Sequence, residues 1–207
     1  MTPTWLVPML DAAQKLTAQD FSRFVPPQDA PTRQSAVLIL FGQDQDHGPD
    51  LLLIERSRNL RNHSGQAAFP GGGLEPGDDG PAAAAVREAA EETGLDPSGV
   101  EVLLQLPQLW LPVSDYAVTP VVAYWRAPSP IGVADPIEVA AVFRVPIREL
   151  VSQENRVRVR HPSGHIGPGF LVRGLTVWGF TGGLIAKLIS ISGWEQPWDY
   201  SRIIDLE

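Results

Sequence analysis

Glu88, Glu91 and Glu92 stand three and one positions apart, shortly after a glycine-rich run, Gly71-Gly72-Gly73-Leu74-Glu75-Pro76-Gly77-Asp78-Asp79-Gly80. On a helix turning about 100° per residue, the three carboxylates share an arc of roughly 100°. Like charges so placed cost a few tenths of a kcal/mol each, roughly, and raise one another's pKa where they share a site. Open solvent relieves that repulsion, and so does a bound cation. Exposure is the ordinary fate of a glutamate cluster on a helix. The glycine run weighs toward a cation, because glycine lets a backbone carbonyl or N–H come close to a ligand. Loop and helix together offer an all-oxygen pocket of the kind that Mg2+ or Mn2+ prefers, and those ions bridge to phosphate oxygens. The chemistry implied is metal-assisted attack of water on phosphorus.

Other routes to hydrolysis are poorly served. There is no cysteine, which excludes thiolate nucleophiles, disulfides and zinc–thiolate sites. Ser57 and Ser64 lack a convincing base partner. His63, His161 and His165 are weak ligand candidates beside a carboxylate cluster that already supplies oxygen donors.

The helix that must carry the glutamates is well punctuated. Pro81 suits a first helical position, Asp79 or Gly80 can cap it, and Gly94 followed by Pro97 marks the stop. The pattern predicts a helix over 81–93 with Val86, Ala90, Ala82 and Ala83 opposite the acids. Ala36–Phe41 and Leu51–Ile54 are apolar runs of strand length separated by a polar turn, and they read as a hairpin. Val100–Leu106 and Val118–Trp125 are further strands, and Val142–Val145 is a short one. Arg156–Arg160 alternates Arg and Val, the period of a half-buried strand with three cations on one face, and a solvated edge strand accounts for it. A helical arm over 4–24 and a final apolar helix near 178–191 complete an α/β or α+β layered pattern. Leu175–Trp194 contains Lys187, Gly182 and Gly183 and reads as a core helix rather than a membrane span.

The 207 residues suit one domain, and the net charge of −8 argues against a surface built to grip nucleic acid. No secretory pattern precedes Trp5–Leu10, so a cytoplasmic location is expected, with no membrane partner.

The glycine run and helix closely resemble the Nudix box: Gly, five residues, an acid, seven residues, then Arg-Glu-apolar-x-Glu-Glu-x-Gly-apolar. Gly73 opens it, and Arg87 through Leu95 fits without exception. Asp79 stands where the family pattern usually has Glu, one methylene shorter, and Glu75 is a nearby substitute. The resemblance implies a Nudix-type α/β/α sandwich with a mixed sheet, a single domain over 1–207 and residues 1–33 as an N-terminal helical extension. It implies Mg2+ or Mn2+ held by Glu88, Glu91 and Glu92 with the carbonyl of Gly72 or Gly73, and Arg87 orienting a glutamate. Glu91 is the first candidate for the base that takes the proton from water. Glu138, which follows the strands as in relatives, is the second.

Upstream, Leu52-Leu53-Ile54-Glu55-Arg56-Ser57, Arg61, Gly65 and Phe69-Pro70-Gly71-Gly72 resemble a second signature, that of the coenzyme A diphosphatases, with Ile54 in place of a common Thr. By that resemblance the partner is a small molecule, coenzyme A or a CoA derivative. It would be bound by Arg56, Arg61, Gly71 and Gly72 and cut to 3′,5′-ADP and 4′-phosphopantetheine or its acyl form. Arginine's planar fork suits such phosphates. ADP-ribose, NADH or a nucleoside triphosphate are alternative substrates within the family, and a nucleotide sensor without turnover is a rival of another class. A homodimer, common among relatives, is a further expectation.

Overall fold

A continuous apolar run in a strand needs cover on both faces, and residues 36–41 of β1 (Arg33–Asp44) receive it. Its even-numbered residues Ala36, Leu38 and Leu40 enter one buried cluster, and Ile39 and Phe41 enter another. The computed structural model describes residues 2–22, 33–58, 64–112 and 114–206. Their order is α1 (Val7–Ala13), α2 (Ala18–Phe21), β1, β2 (Gly48–Arg56), β3 (Ala67–Ala68), β4 (Gly71–Gly73) and α3 (Pro81–Thr93). There follow β5 (Val100–Gln105), β6 (Leu109–Leu111), β7 (Tyr116–Trp125), β8 (Val139–Pro146) and α4 (Ile147–Val151). The chain ends with β9 (Arg156–Arg160), β10 (Ile166–Val172), β11 (Leu175–Val177), α5 (Gly179–Ser192) and β12 (Ile203–Asp205).

The main sheet runs β3-β2-β1-β7-β5, with β4 beside β1, β6 beside β7 and β8 beside β2. It is mixed: β1 and β7 are parallel and the other pairs antiparallel. One face is covered by α3 through Ala84, Ala85 and Ala89, which pack on Leu38, Leu40, Val121 and Trp125. The other is covered by α1 and α5 through Met9, Leu184, Ile185 and Leu188, which meet Ile39, Phe41 and Leu53. The expected α/β/α sandwich is thus present. The hairpin, the helix over 81–93 and the strands near 100, 118, 142 and 156 fall where expected, while β3, β4, β6, β10, β11 and β12 were not foreseen. Among the described residues no helix is long and apolar enough to cross a membrane.

Two expectations are corrected. The most buried face of α3 is Ala84, Ala85, Ala89, Glu92 and Thr93, not the Val86–Ala90 side. Alanine lets the helix lie close to the sheet, and Glu92, seven residues after Ala85 and three after Ala89, shares that face. Nor is β9 an edge strand, since it lies between β10 and β12 in a second sheet ordered β11-β10-β9-β12. Arg156 is only 2% exposed there, with its guanidinium 4.8 Å from the Phe170 ring centroid, 4.7 Å from that of Trp198 and 3.4 Å from Glu195. The cation is stacked between aromatic faces and paired with a carboxylate instead of solvated.

Candidate active site

The glycine segment is placed by pairing. β4 lies antiparallel to the first half of β1, with Ser35 opposite Gly73 and Val37 opposite Gly71, while β2 pairs with the second half. Gly71 has φ +156°, and a Cβ there would collide with the Ala36 carbonyl oxygen, so only glycine lets β4 come this close. From β4 the chain passes through a short loop to Gly80, which starts α3 at φ 87°, and the helix closes on Gly94 in the left-handed region. Strand and helix so joined face their functional groups toward each other.

Glu92 is 3% exposed. Its Oε2 accepts a hydrogen bond from Gly71 N at 2.9 Å, and Arg56 Nη1 lies 4.0 Å from its Oε1. That Oε1 is buried without a hydrogen-bond partner among the described residues. Burial pushes the Glu92 carboxyl up to about 8, with the Glu88 and Glu138 charges adding to the rise and Gly71 N–H and Arg56 opposing it. Burial likewise raises Glu88, and Glu91 and Glu138 add to this against the opposing Arg87. The Glu88 carboxyl packs against Gly72 so closely that a Cβ at 72 would occupy its place.

Arg87 gathers the rest. Its Nη1 donates to Glu88 Oε1 and to Glu91 Oε2, both at 3.1 Å, and its Nη2 donates to the Gly73 carbonyl at 3.1 Å. Its Nε and Nη2 donate to the two oxygens of Asp78, each at 3.0 Å. Asp79, the acid at the family spacing, is exposed, and Glu75 meets Asp78 through its backbone, its N–H donating to Asp78 Oδ2 at 2.8 Å and its carbonyl accepting from Asp78 N at 3.0 Å. Asp78 is therefore the acid that sequence reasoning missed. The signal available was two adjacent aspartates in a loop of uncertain length.

Glu138, at the end of the long connection between β7 and β8, stands with its Oε2 3.9 Å from Arg56 Nη2. Arg56 thus lies between Glu92 and Glu138. The structure brings together Arg56, Gly71, Gly72, Gly73, Arg87, Glu88, Glu91, Glu92 and Glu138. Arg61 and His63 lie outside the described residues. A separate exposed group, Asp44, Asp46 and His47, occupies the β1–β2 turn, where Asp44 accepts from the backbone N–H groups of both neighbours at 2.9 Å.

Acids outnumber cations here: Asp78, Glu88, Glu91, Glu92 and Glu138 face Arg56 and Arg87 among the described residues. The NUDIX domain model matches residues 31–165, which span the glycine strand, the carboxylate helix and Glu138. This chain belongs to the Nudix family. A Nudix relative, the Uncharacterized Nudix hydrolase NudL of Escherichia coli (strain K12), is 39% identical over 163 residues, 75% of this chain and 81% of the relative. Two solved Nudix hydrolases share the fold. RenU of M. smegmatis has a TM-score of 0.51 at 17% identity over 84% of this chain and 91% of that one. A Nudix hydrolase of Nitrosomonas europaea has 0.51 at 15% identity over 86% and 81%. As a Nudix enzyme the protein is a hydrolase acting on phosphorus-containing anhydrides.

The donors fit the divalent cation that Nudix hydrolases generally use. The set is all oxygen, and it includes a buried carboxylate oxygen lacking a hydrogen-bond partner beside the glycine-lined Glu88 carboxyl.

Proposed function

We propose that this Nudix hydrolase cuts the diphosphate linkage of coenzyme A or a CoA derivative to 3′,5′-ADP and 4′-phosphopantetheine or its acyl form. The observation that carries the reading is Arg56. This arginine of the CoA-diphosphatase-like signature stands between Glu92 and Glu138, 4.0 and 3.9 Å from their oxygens, beside the glycine strand. Both distances exceed hydrogen-bond length, so its planar fork can turn to a phosphate oxygen.

Glu88, Glu91 and Glu92, with the carbonyl of Gly72 or Gly73, would hold Mg2+ or Mn2+. Bound there, the cation would polarise the phosphoryl oxygens and lower the pKa of an attacking water. Arg87, fixed by Asp78, orients Glu88 and Glu91. Glu138 is placed to accept the water's proton, since its side chain is 47% exposed and faces the site across Arg56. Glu91 is the alternative, but it is already engaged by Arg87. A single unit that includes the N-terminal arm is supported by Trp5, which packs on Phe41 and Trp194.

Incubation of the protein with coenzyme A, ADP-ribose, NADH and ATP, with and without Mg2+ or Mn2+, tests the reading by chromatography of products. Metal-dependent release of 3′,5′-ADP from coenzyme A, faster than any other cleavage, is expected. Preferential cleavage of another substrate would retain the chemistry and refute the CoA assignment.

A further inference from the structure

We infer that Asp135 is a positioning residue for the reaction: it closes the turn that holds Glu138 against the active site. The inference rests on the proposed role of Glu138.

The connection from Trp125 to Val139 has little packing to fix its last turn. Ile137 is 74% exposed, and Val133, Ala134 and Pro136 are also exposed. Hydrogen bonds must therefore define it. Gly132 N donates to the Thr93 carbonyl at 3.0 Å, and Ala134 N donates to the carbonyl of Glu92 at 3.1 Å. These two bonds moor the connection to the last turn of α3, where carbonyls lack intrahelical partners. At the other end, Ser57 N donates to the Glu138 carbonyl at 2.7 Å, which ties residue 138 to the neighbour of Arg56.

Between those moorings lies Asp135-Pro136-Ile137-Glu138. Asp135 Oδ1 accepts from Ile137 N at 2.8 Å, and the Asp135 carbonyl accepts from Val139 N at 2.9 Å. Asp followed by Pro is the combination that pre-forms such a turn, the side chain bonding two residues on and the ring fixing φ. The side-chain bond spans Pro136 and ends on the N–H of Ile137, immediately before Glu138, so it helps set the direction in which the Glu138 carboxylate leaves the backbone. Without it, backbone bonds still hold residue 138, but the turn before it loosens and the Glu138 side chain gains freedom to leave Arg56. A displacement of about 1 Å in a catalytic group costs on the order of a hundredfold in rate.

The experiment compares Asp135→Ala, Asp135→Asn, Glu138→Gln and Asp135→Ala/Glu138→Gln. The substrate is whichever of coenzyme A, ADP-ribose, NADH and ATP the enzyme cuts fastest with Mg2+, and thermal melts accompany the kinetics. Asp135→Ala should lower kcat on the order of tenfold or more with KM little changed. Asp135→Asn should restore most of kcat, because the amide oxygen accepts the same N–H. In the Glu138→Gln background, Asp135→Ala should have almost no further effect on kcat. An equal loss in both backgrounds, or failure of Asn to rescue, would show that Asp135 acts otherwise and overturn the inference. So would near-normal kcat for Asp135→Ala when Glu138→Gln is impaired. Near-normal kcat for Glu138→Gln itself would instead remove the underlying reading, and the inference with it.

Discussion

Arg87 and Asp78 meet fork to fork, Nε to Oδ1 and Nη2 to Oδ2 at 3.0 Å each, and this pair anchors the guanidinium that also reaches Glu88, Glu91 and the Gly73 carbonyl. The Arg87 contact holds the Asp78 carboxyl below the usual carboxylate range. Losing Asp78 should let the guanidinium drift and misplace two glutamates together. Asp78→Ala is expected to reduce kcat/KM by about tenfold or more. Asp79→Ala, at an exposed side chain, should stay within about twofold. Steady-state kinetics of the two variants decide the matter, and a larger loss at Asp79 would refute the assignment.

Glu92→Gln should lower kcat by orders of magnitude while the protein stays folded, because the buried oxygen beside Gly71 would lose its charge but keep an acceptor. Circular dichroism and kinetics on one preparation test this. Near-normal turnover would remove Glu92 from the site.

Glu92 also predicts a pH dependence of stability. Its carboxyl titrates near 8 in the folded protein, against an ordinary value of 4.5, so the folded state keeps a proton that the unfolded state releases between those values. This contribution is fully present below about pH 4.5 and is lost as pH rises through about 8. Melting in EDTA should therefore show the Tm of Glu92→Gln falling less than that of the parent between those limits. Parallel curves would contradict the raised value.

Bound as proposed, a divalent cation would compete with that proton. Mg2+ or Mn2+ should raise Tm, and the gain should be larger near pH 8 than near pH 6, because the carboxylates must be ionised to bind. EDTA should abolish the gain. A pH-independent gain, or the same gain in Glu92→Gln, would place the ion elsewhere.

The glycines make a contrasting pair. A Cβ on Gly72 would collide with the Glu88 carboxyl, whereas one on Gly73 would have no atom within 4 Å. Gly72→Ala should impair turnover and raise the Mn2+ concentration needed for half-maximal rate. Gly73→Ala should be nearly neutral in both. The reverse order would mean that the Glu88 carboxyl does not rest on Gly72 during turnover.

Much of this site was legible in the residues alone because its chemistry is local. Pro81, Gly80 and Gly94 punctuate α3 through short-range backbone preferences, and the spacing of Glu88, Glu91 and Glu92 places them on one face whatever surrounds the helix. The family follows from the same stretch. Contacts between distant segments were not legible. Nothing near Arg56 announces Glu138, because their meeting depends on how the connection before β8 returns to the end of β2.

The sequence by itself determined the helix, its carboxylate face, the family and the class of reaction, since these depend on spacing within one continuous stretch of chain. Only the tertiary structure decided which aspartate holds Arg87, how deeply Glu92 is buried, and that Arg156 is a stacked interior cation. The physical reason is the same in each case. Periodicity states which side chains share a face, but burial and pairing depend on what the rest of the chain lays against that face. For Arg156 the cover is Phe170 of β10 together with Glu195 and Trp198, from the far end of the sequence.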